Sequence, residues 1–278
     1  MAKHFLQTIT NSLRGLNPED VRTMAMRPVT IGIGSTSDPG CSSILQFLGN
    51  TDGVFLVGAP QGPEKFDIEI YEEGVPSSRS GYTFHPGRTD ELIARILAER
   101  DELSLPLARA FPGFRHAVSQ KYISSVSKEN ATFSFVTALP DIIPNVAELF
   151  WSFGEFASDT AFLTMNQLRM AFFLAAAHGR EVGYREQKAE VASVIAGAFG
   201  LRALARELAG KIPFGGGLIP KAAIAYAGTW ALGQSLDRLY GFGTSYDRLQ
   251  QKASYKEGLA KGKTLAKSLL AGLKRKTA

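Results

Sequence analysis

The chain has 278 residues, 45% of them hydrophobic, and this length and composition indicate a folded protein of about two domains and exclude a disordered one. Its single cysteine, Cys41, excludes an internal disulfide framework and fits a reducing compartment. The net charge of +5 is uneven, because residues 247–278 carry +7 and the remaining residues sum to −2.

The first two segments are predicted to be a helical lead-in, residues 1–26, and a small α/β domain, residues 27–103. A buried apolar run ending in a glycine turn, a strictly alternating run and an amphipathic helix indicate this class. The segment 74–88 is rich in Gly, Pro and Ser and is predicted to be a loop. The predicted strands are 29–34, 53–57 and 66–71, and the predicted helices are 39–48 and 89–102.

Strand signals nearly vanish after residue 103, so residues 104–246 are predicted to be an all-α helical domain. Residues 247–278 are predicted to be a basic amphipathic tail. The fold class is therefore a small α/β unit with a reduced sheet followed by an all-α domain, α+β overall. The predicted helices are 109–129, interrupted near Pro112, then 144–156, 159–178, 185–211 and 218–240.

The turn after the first strand stands in the place of a phosphate-binding loop, between a strand and a helix. Five residues instead of four separate its glycines, and Cys41 stands where such a loop needs lysine. Pro39 also removes one backbone donor. We interpret the segment as a degenerate P-loop that serves as a structural turn, with an anion or nucleotide site as the alternative. The candidate nucleotide-binding residues are Gly34, Ser35, Gly40 and Ser42.

Sequence signatures of catalysis and metal binding are scarce. The four histidines are far apart in sequence and form no metal-spaced pair, and the chain contains no CxxC, HExxH or GxSxG. The sequence therefore predicts a protein that is not an enzyme and that uses no cofactor or metal, although a triad assembled in space leaves no sequence signature.

Residues 185–211 and 218–240 are predicted to form a helical hairpin that is rich in small residues. Small residues four apart allow two helix backbones to approach closely. One reading is a tightly packed helical core, and the other is a hairpin inserted into or apposed to a membrane. Charged residues of the first helix, Arg202, Arg206 and Glu207, argue against full insertion. The glycines expected at the helix contact are Gly197, Gly200, Gly228 and Gly233.

The tail is predicted to be a basic amphipathic helix over residues 255–276. Lysines flank an apolar stripe, a pattern typical of helices that bind anionic membrane surfaces. A solubilising tail and a nucleic-acid-binding tail are the alternatives. Gly258, Gly262 and Gly272 weaken the segment as an isolated helix. The candidate membrane- or partner-binding residues are Lys256, Lys263, Lys267, Lys274, Leu259, Leu269, Leu270 and Leu273.

Six blocks of the C-terminal half stand in a characteristic order and spacing: 163–170, 174–179, 194–202, 212–213, 220–221 and 225–233. Through these blocks the C-terminal half resembles the YcjF-type domain of unknown function, a bacterial family often fused to, or encoded near, Era-like GTPases. The resemblance covers about residues 105–245, and residues 18–28 look like the lead-in to a GTPase domain. It implies association with the inner face of the cytoplasmic membrane and a role beside a GTPase, and it carries over no catalytic residue. The missing phosphate-loop lysine departs from the GTPase pattern.

Together these observations predict a non-enzymatic, membrane-peripheral scaffold or regulatory protein, cytoplasmic or peripheral on the inner face of the cytoplasmic membrane. The alternative is a GTPase-like nucleotide-binding protein with an altered phosphate loop. An anionic membrane surface is the first expected partner. A GTPase, or a second copy bound through the helical hairpin, comes next, and nucleic acid ranks below both.

Overall fold

The structure is a computed structural model, and it describes residues 17–138, 159–193 and 218–277. The described residues belong to two compact units. The first unit contains Glu19–Lys121 and Ala175–Glu181, and the second contains the described parts of Tyr122–Leu174 and Val182–Ala278.

A four-stranded parallel sheet forms the core of the first unit. Ile31 pairs with Val54 on one side and with Ile68 on the other, and Ile70 pairs with Tyr82. All four residues of the inner strand β1 are buried, as expected for a parallel strand covered on both faces. The strands are β1 (Ile31–Gly34), β2 (Val54–Leu56), β3 (Ile68–Glu72) and β4 (Tyr82–Phe84), in the order β2-β1-β3-β4.

Helices supply the rest of this core. The Ser37 hydroxyl caps α2 by accepting a hydrogen bond from the Gly40 amide at 3.0 Å, and Gly49, whose φ of 70° favours glycine, caps the carboxyl end of α2. Ile44 and Ile96 are fully buried. The helices of the unit are α1 (Pro18–Ala25), α2 (Asp38–Leu48), α3 (Thr89–Glu99), α4 (Ser104–Ala110) and the first residues of α5 (Pro112–Val136).

The second unit is helical in its described residues. It contains the remainder of α5, most of α6 (Asp159–Ala177), and the antiparallel pair α7 (Leu218–Phe242) and α8 (Arg248–Thr277). α7 is rich in Ala, and 12 of its residues, from Leu218 to Tyr240, are buried. An alanine-rich helix can be surrounded by other helices at close range, because its side chains fill little space.

A buried polar network joins three of these helices. Asn130 of α5 donates from Nδ2 to Oγ1 of Thr229 of α7 at 2.9 Å. Asn166 of α6 donates to the Asn130 side-chain oxygen at 2.9 Å, and Gln167 donates to Thr229 Oγ1 at 3.2 Å. All four side chains are buried. Buried polar groups that satisfy one another fix which residues face each other, because a slipped helix leaves them without partners.

The predicted fold class is confirmed: a small parallel-sheet unit at the N-terminal side precedes a helical region. The helical path is interrupted at Phe111, between α4 and α5, as predicted near Pro112. Pro112 is the first residue of α5, a position that needs no backbone donor. Helix α5 runs on to Val136, beyond the predicted end at residue 129.

The prediction that residues 74–88 form a loop was wrong in one part, because Tyr82–Phe84 pair with β3 as the edge strand β4. The predicted helix 144–156 and most of 185–211 lie outside the described residues, although residues 188–193 are helical. The boundaries of the four predicted segments stay predictions.

Candidate functional site

The carboxyl edge of the sheet is the first candidate site. All four strands are parallel, so their carboxyl ends meet at this edge. From β1 the chain passes through α2 to β2 on one side, and from β3 it passes to β4 on the other. A sheet whose connections diverge between two neighbouring strands has a crevice there, and α/β proteins bind ligands in such crevices.

The side chain of Glu72, at the end of β3, occupies the turn between β1 and α2. Its Oε2 accepts a hydrogen bond from the Ser35 hydroxyl at 2.7 Å and from the Thr36 amide at 3.3 Å. Its Oε1 accepts a hydrogen bond from the Ser37 hydroxyl at 2.7 Å. A Cβ built on Gly40 would overlap the Glu72 carboxylate. The carboxylate therefore lies against the start of α2, where a phosphate-binding loop holds its phosphate.

Hydrogen bonds to the ionised form lower the pKa of Glu72 below its ordinary value of 4.5. The Ser37 hydroxyl makes the largest contribution and the Ser35 hydroxyl the second, and both outweigh partial burial, which acts in the opposite direction. Glu72 is thus a carboxylate at neutral pH. The hydroxyls of Ser35 and Ser37, which could bind an external anion, are already bound to an internal one.

The structure brings together three of the four predicted nucleotide-binding residues. Ser35 binds Glu72, Gly40 lies beneath its carboxylate, and Gly34 packs under the ring of Tyr71. Ser42 is exposed on α2. Among the described residues, the hydrogen-bond donors to Glu72 are Ser35, Thr36 and Ser37, and not Ser42. Sequence reasoning missed Glu72, because nothing in the strand that ends with it indicates which loop its carboxylate reaches.

The other carboxylates of β3 and its extension are also engaged. Tyr71 donates from its hydroxyl to Oε2 of Glu69 at 2.9 Å, and Ser78 donates to the same oxygen at 2.5 Å. Oε2 of Glu73, the residue after β3, lies 2.9 Å from Nδ1 of His85, the residue after β4. Within the described residues, no group of three or more His, Cys, Asp or Glu is placed to hold a metal ion.

The α7–α8 pair is the second candidate site, and its contact is made by four small residues of α8 spaced four apart. A Cβ on Gly258 would lie 2.9 Å from the Ala227 Cα, and a Cβ on Gly262 would lie 2.8 Å from the Ala223 Cα. Because the neighbours are backbone atoms of α7, only glycine fits here. We call this contact the small-residue seam, and its members are the buried residues Ser254, Gly258, Gly262 and Ala266.

A row of exposed lysines lies about 130° around α8 from the seam. At 100° per residue, positions 252, 256, 263 and 267 fall within about 60° of one another, and all four side chains are exposed. We call this row the lysine face: Lys252, Lys256, Lys263 and Lys267. Lys252 was missed because the predicted helix began at residue 255, whereas α8 begins at Arg248. The side chain of Lys274 lies outside the described residues.

The predicted apolar stripe of α8 is turned largely toward the seam. Leu269 and Leu273 lie on the seam side of the helix, and Leu259 and Leu270 lie on its flank. All four are half-buried. The predicted tail is therefore a helix packed along α7, and its exposed surface includes the lysine face. Membrane binding by these residues stays a prediction.

The predicted hairpin glycines divide into two pairs. Gly233 of α7 lies at a close helix contact, since a Cβ there would be 2.8 Å from Ile123 Cγ1 and 3.0 Å from Met170 Sδ. Gly228 is buried in α7. Gly197 and Gly200 lie outside the described residues, so their expected contact with α7 stays a prediction. Of the described helices, none combines the length and the apolar character needed to cross a bilayer.

Comparisons with known proteins give no relative. No protein-family model, no curated protein and no solved structure matches this chain. The resemblance to YcjF-type domains and to GTPase lead-ins therefore stays a prediction.

Proposed function

We propose that the protein is a non-enzymatic, membrane-peripheral scaffold or regulator that binds an anionic membrane surface through the lysine face of α8. The observation that carries this proposal is the orientation of α8. Its small residues hold it against α7, and its exposed lysines point away from that contact. The geometry supports a permanently presented basic surface, not a free tail that must fold on binding.

The charge of this surface is nearly uniform. The only acidic residue in the sequence of α8, Glu257, is paired with Lys261 at 2.7 Å, and Lys261 also lies 3.6 Å above the Trp230 ring. Neither residue belongs to the lysine face. Each lysine close to an anionic bilayer contributes about 1 kcal/mol, less at physiological salt because of screening. Four such lysines support reversible adsorption.

Sedimentation with lipid vesicles tests the proposal. The full chain is mixed with vesicles of neutral lipid and with vesicles that contain anionic lipid. We expect pelleting only with the anionic vesicles. The triple variant Lys256→Gln, Lys263→Gln, Lys267→Gln should bind about 100-fold more weakly at low salt, from about 1 kcal/mol for each lysine, and the loss should be smaller at physiological salt.

The matched control removes three exposed lysines elsewhere: Lys65→Gln, Lys128→Gln and Lys188→Gln. It lowers the net charge equally and should leave vesicle binding almost unchanged. Equal weakening by both triple variants would mean that total charge, and not the lysine face, attracts the membrane. No binding of the unsubstituted chain to anionic vesicles would remove the proposal.

The alternative function is nucleotide binding by a GTPase-like protein with an altered phosphate loop. One observation favours a site at the sheet edge: the turn between β1 and α2 already binds an anion, the carboxylate of Glu72. The same observation weighs against a nucleotide, because the carboxylate occupies and repels the position of a phosphate. Titration with GTP and ATP tests this alternative. If the site exists, Glu72→Gln should bind either nucleotide more tightly than the unsubstituted chain.

A GTPase or a second copy of the chain remains a proposed partner of the helical region, and nucleic acid a proposed partner of the lysine face. Nucleic acid binding through lysines would fall steeply with salt and show no sequence preference. A duplex competitor added to the vesicle assay separates it from membrane binding. Analytical ultracentrifugation of the full chain detects self-association.

A further inference from the structure

The turn that joins α7 to α8 is held firmly to both helices. Gly243, at φ 76°, reverses the chain after α7. Asp247 and Gln250 form a reciprocal cap at the start of α8: the Asp247 amide donates to Gln250 Oε1 at 3.1 Å, and the Gln250 amide donates to Asp247 Oδ1 at 2.8 Å. The Tyr246 amide donates to Ser235 Oγ of α7 at 3.2 Å. The turn is therefore a fixed shape.

This fixed turn presents two large apolar side chains to solvent. Phe242, the last residue of α7, is 82% exposed, and Leu249, the second residue of α8, is 78% exposed. They are the two most exposed large apolar side chains among the described residues. A single exposed apolar residue is ordinary, but two that flank one rigid turn form an apolar tip. We call residues 242–249, which connect α7 to α8 and do not belong to the predicted hairpin of residues 185–211 and 218–240, the hairpin tip.

The hairpin tip is continuous with the lysine face. Leu249 precedes Lys256 by seven residues and Lys263 by fourteen, so all three fall within about 40° on the helix surface. One side of α8 therefore begins with an apolar residue and continues as a row of lysines. The seam lies about 130° around the helix from the lysine face and is buried against α7. An apolar end followed by basic residues complements a surface that is negative at its headgroups and apolar beneath them.

We propose that the hairpin tip inserts into an anionic bilayer: Phe242 and Leu249 enter the boundary between headgroups and acyl chains, while the lysine face lies along the headgroups. This inference rests on the proposed function and adds a mode of binding to it. Adsorption by lysines alone is removed by salt, whereas apolar insertion is not. The tip would therefore supply the salt-resistant part of the affinity, about tenfold for each of the two side chains.

The first experiment measures vesicle binding at low and at high salt. The full chain should keep part of its binding to anionic vesicles at high salt. The double variant Phe242→Ser, Leu249→Ser should bind about 100-fold more weakly at both salt concentrations, because the apolar contribution does not depend on salt, and at high salt its binding should fall below detection while that of the full chain persists. The matched control, Met24→Ser with Met26→Ser, also removes two exposed apolar side chains, at 48% and 59% exposure. It should behave like the unsubstituted chain.

The second experiment follows the tip directly. Cys41 is the only cysteine, so a Cys41→Ser background with Phe242→Cys carries one environment-sensitive fluorophore at the tip. Anionic vesicles should shift its emission to the blue, and lipids brominated near the headgroup end of their chains should quench it. Met26→Cys in the same background gives the reference position, where neither change is expected.

The outcomes separate the two proposals. Pelleting with a fluorophore that stays in water overturns tip insertion and leaves the lysine face as the binding surface. Equal affinity of the double variant and the full chain for anionic vesicles also overturns it. Absence of binding by the full chain to anionic vesicles overturns the proposed function and the tip insertion together. The unfolding midpoints of the variants show that each substituted chain is folded.

Discussion

The two units use glycine for close approach in different ways. In the sheet unit, a Cβ on Gly32 would lie 2.6 Å from the ring of Phe66, and a Cβ on Gly40 would meet the Glu72 carboxylate. In the helical unit, Gly258 and Gly262 face backbone atoms of α7. A carboxylate at the end of a flexible side chain can move aside, whereas a helix backbone cannot move without its whole helix. Adding a side chain should therefore cost more free energy of unfolding at Gly258 or Gly262 than at Gly40.

The largest effect is expected at the seam. Gly262→Leu places a large side chain where even a Cβ would lie 2.7 Å from Tyr226 Cβ and 2.8 Å from the Ala223 Cα. The two helices have to separate. Overpacking a core typically costs about 1–3 kcal/mol, and we expect Gly262→Leu to lower the free energy of unfolding by about 3 kcal/mol or more. Chemical denaturation measures it.

The matched control for the seam lies in the same helix. Gly272 is exposed and has no atom within 4 Å of its built Cβ. Gly272→Leu should stabilise the chain slightly, by about 0.5–1 kcal/mol, because it replaces glycine in a helix. If Gly262→Leu and Gly272→Leu change the unfolding midpoint alike, α8 is not fixed to α7 by its small residues.

The second effect concerns the polar contacts of the helical unit. Asn130→Leu removes the acceptor of the buried Asn166 amide and a donor to Thr229. A buried polar group left without a partner costs about 1–3 kcal/mol, so we expect a loss of that size in the free energy of unfolding. Ser125→Ala removes an exposed hydrogen bond of the same helix, Ser125 to Glu129 at 3.2 Å, and should change stability by less than about 0.5 kcal/mol. A similar small change for Asn130→Leu would contradict the network's role.

The contrast between the units also explains what the sequence could predict. Apolar periodicity was enough to locate the long helices of the described residues, although not all of their ends, and Gly179, at φ 72°, follows the end of α6 as expected. Strand β4 was not predictable, because three residues in a segment rich in Gly, Pro and Ser become a strand only through pairing with β3. In α8, Gly258 and Gly262 weaken an isolated helix. Their role is visible only in the fold, where they allow the backbone of α7 to approach closely.

The candidate sites follow the same division. Helical periodicity alone placed Lys256, Lys263 and Lys267 along one flank of α8, because that property is local. The contact of Glu72 with Ser35 and Ser37 joins residues 35 to 37 positions apart, and its partners depend on the strand order. Sequence spacing carries no information about that order, so the internal anion appeared only in the fold.

A smaller effect is expected at the sheet edge. Gly40→Ala should push the Glu72 carboxylate away from Ser35 and Ser37, and the carboxylate can turn into solvent because the site is only half-buried. Alanine also favours the helix more than glycine does. We expect the free energy of unfolding to change by less than about 1 kcal/mol, measured by chemical denaturation. A loss as large as that of Gly262→Leu would contradict the comparison between the two units.

The smallest effect is a pH dependence that belongs to Glu72. Its pKa is lower in the folded chain than the ordinary value of 4.5, through hydrogen bonds from Ser37 and then Ser35. A carboxyl group whose pKa is lower in the folded state than in the unfolded state stabilises the fold. The contribution is complete at pH values above the unfolded-state pKa, and it is lost as the pH falls through the folded-state pKa. The stability difference between the unsubstituted chain and Glu72→Gln should therefore be largest at neutral pH and shrink below about pH 4.5.

Thermal unfolding of both chains between pH 7 and pH 3 measures this difference. The control introduces Glu72→Gln into a Ser37→Ala background, where the strongest hydrogen bond to the carboxylate is absent. There the pH-dependent part should be smaller, although Ser37→Ala itself costs about 1 kcal/mol at every pH because Ser37 caps α2. A constant difference between the unsubstituted chain and Glu72→Gln over the whole range would mean that the carboxylate does not bind the turn. The anion position at the start of α2 would then be open to an external ligand.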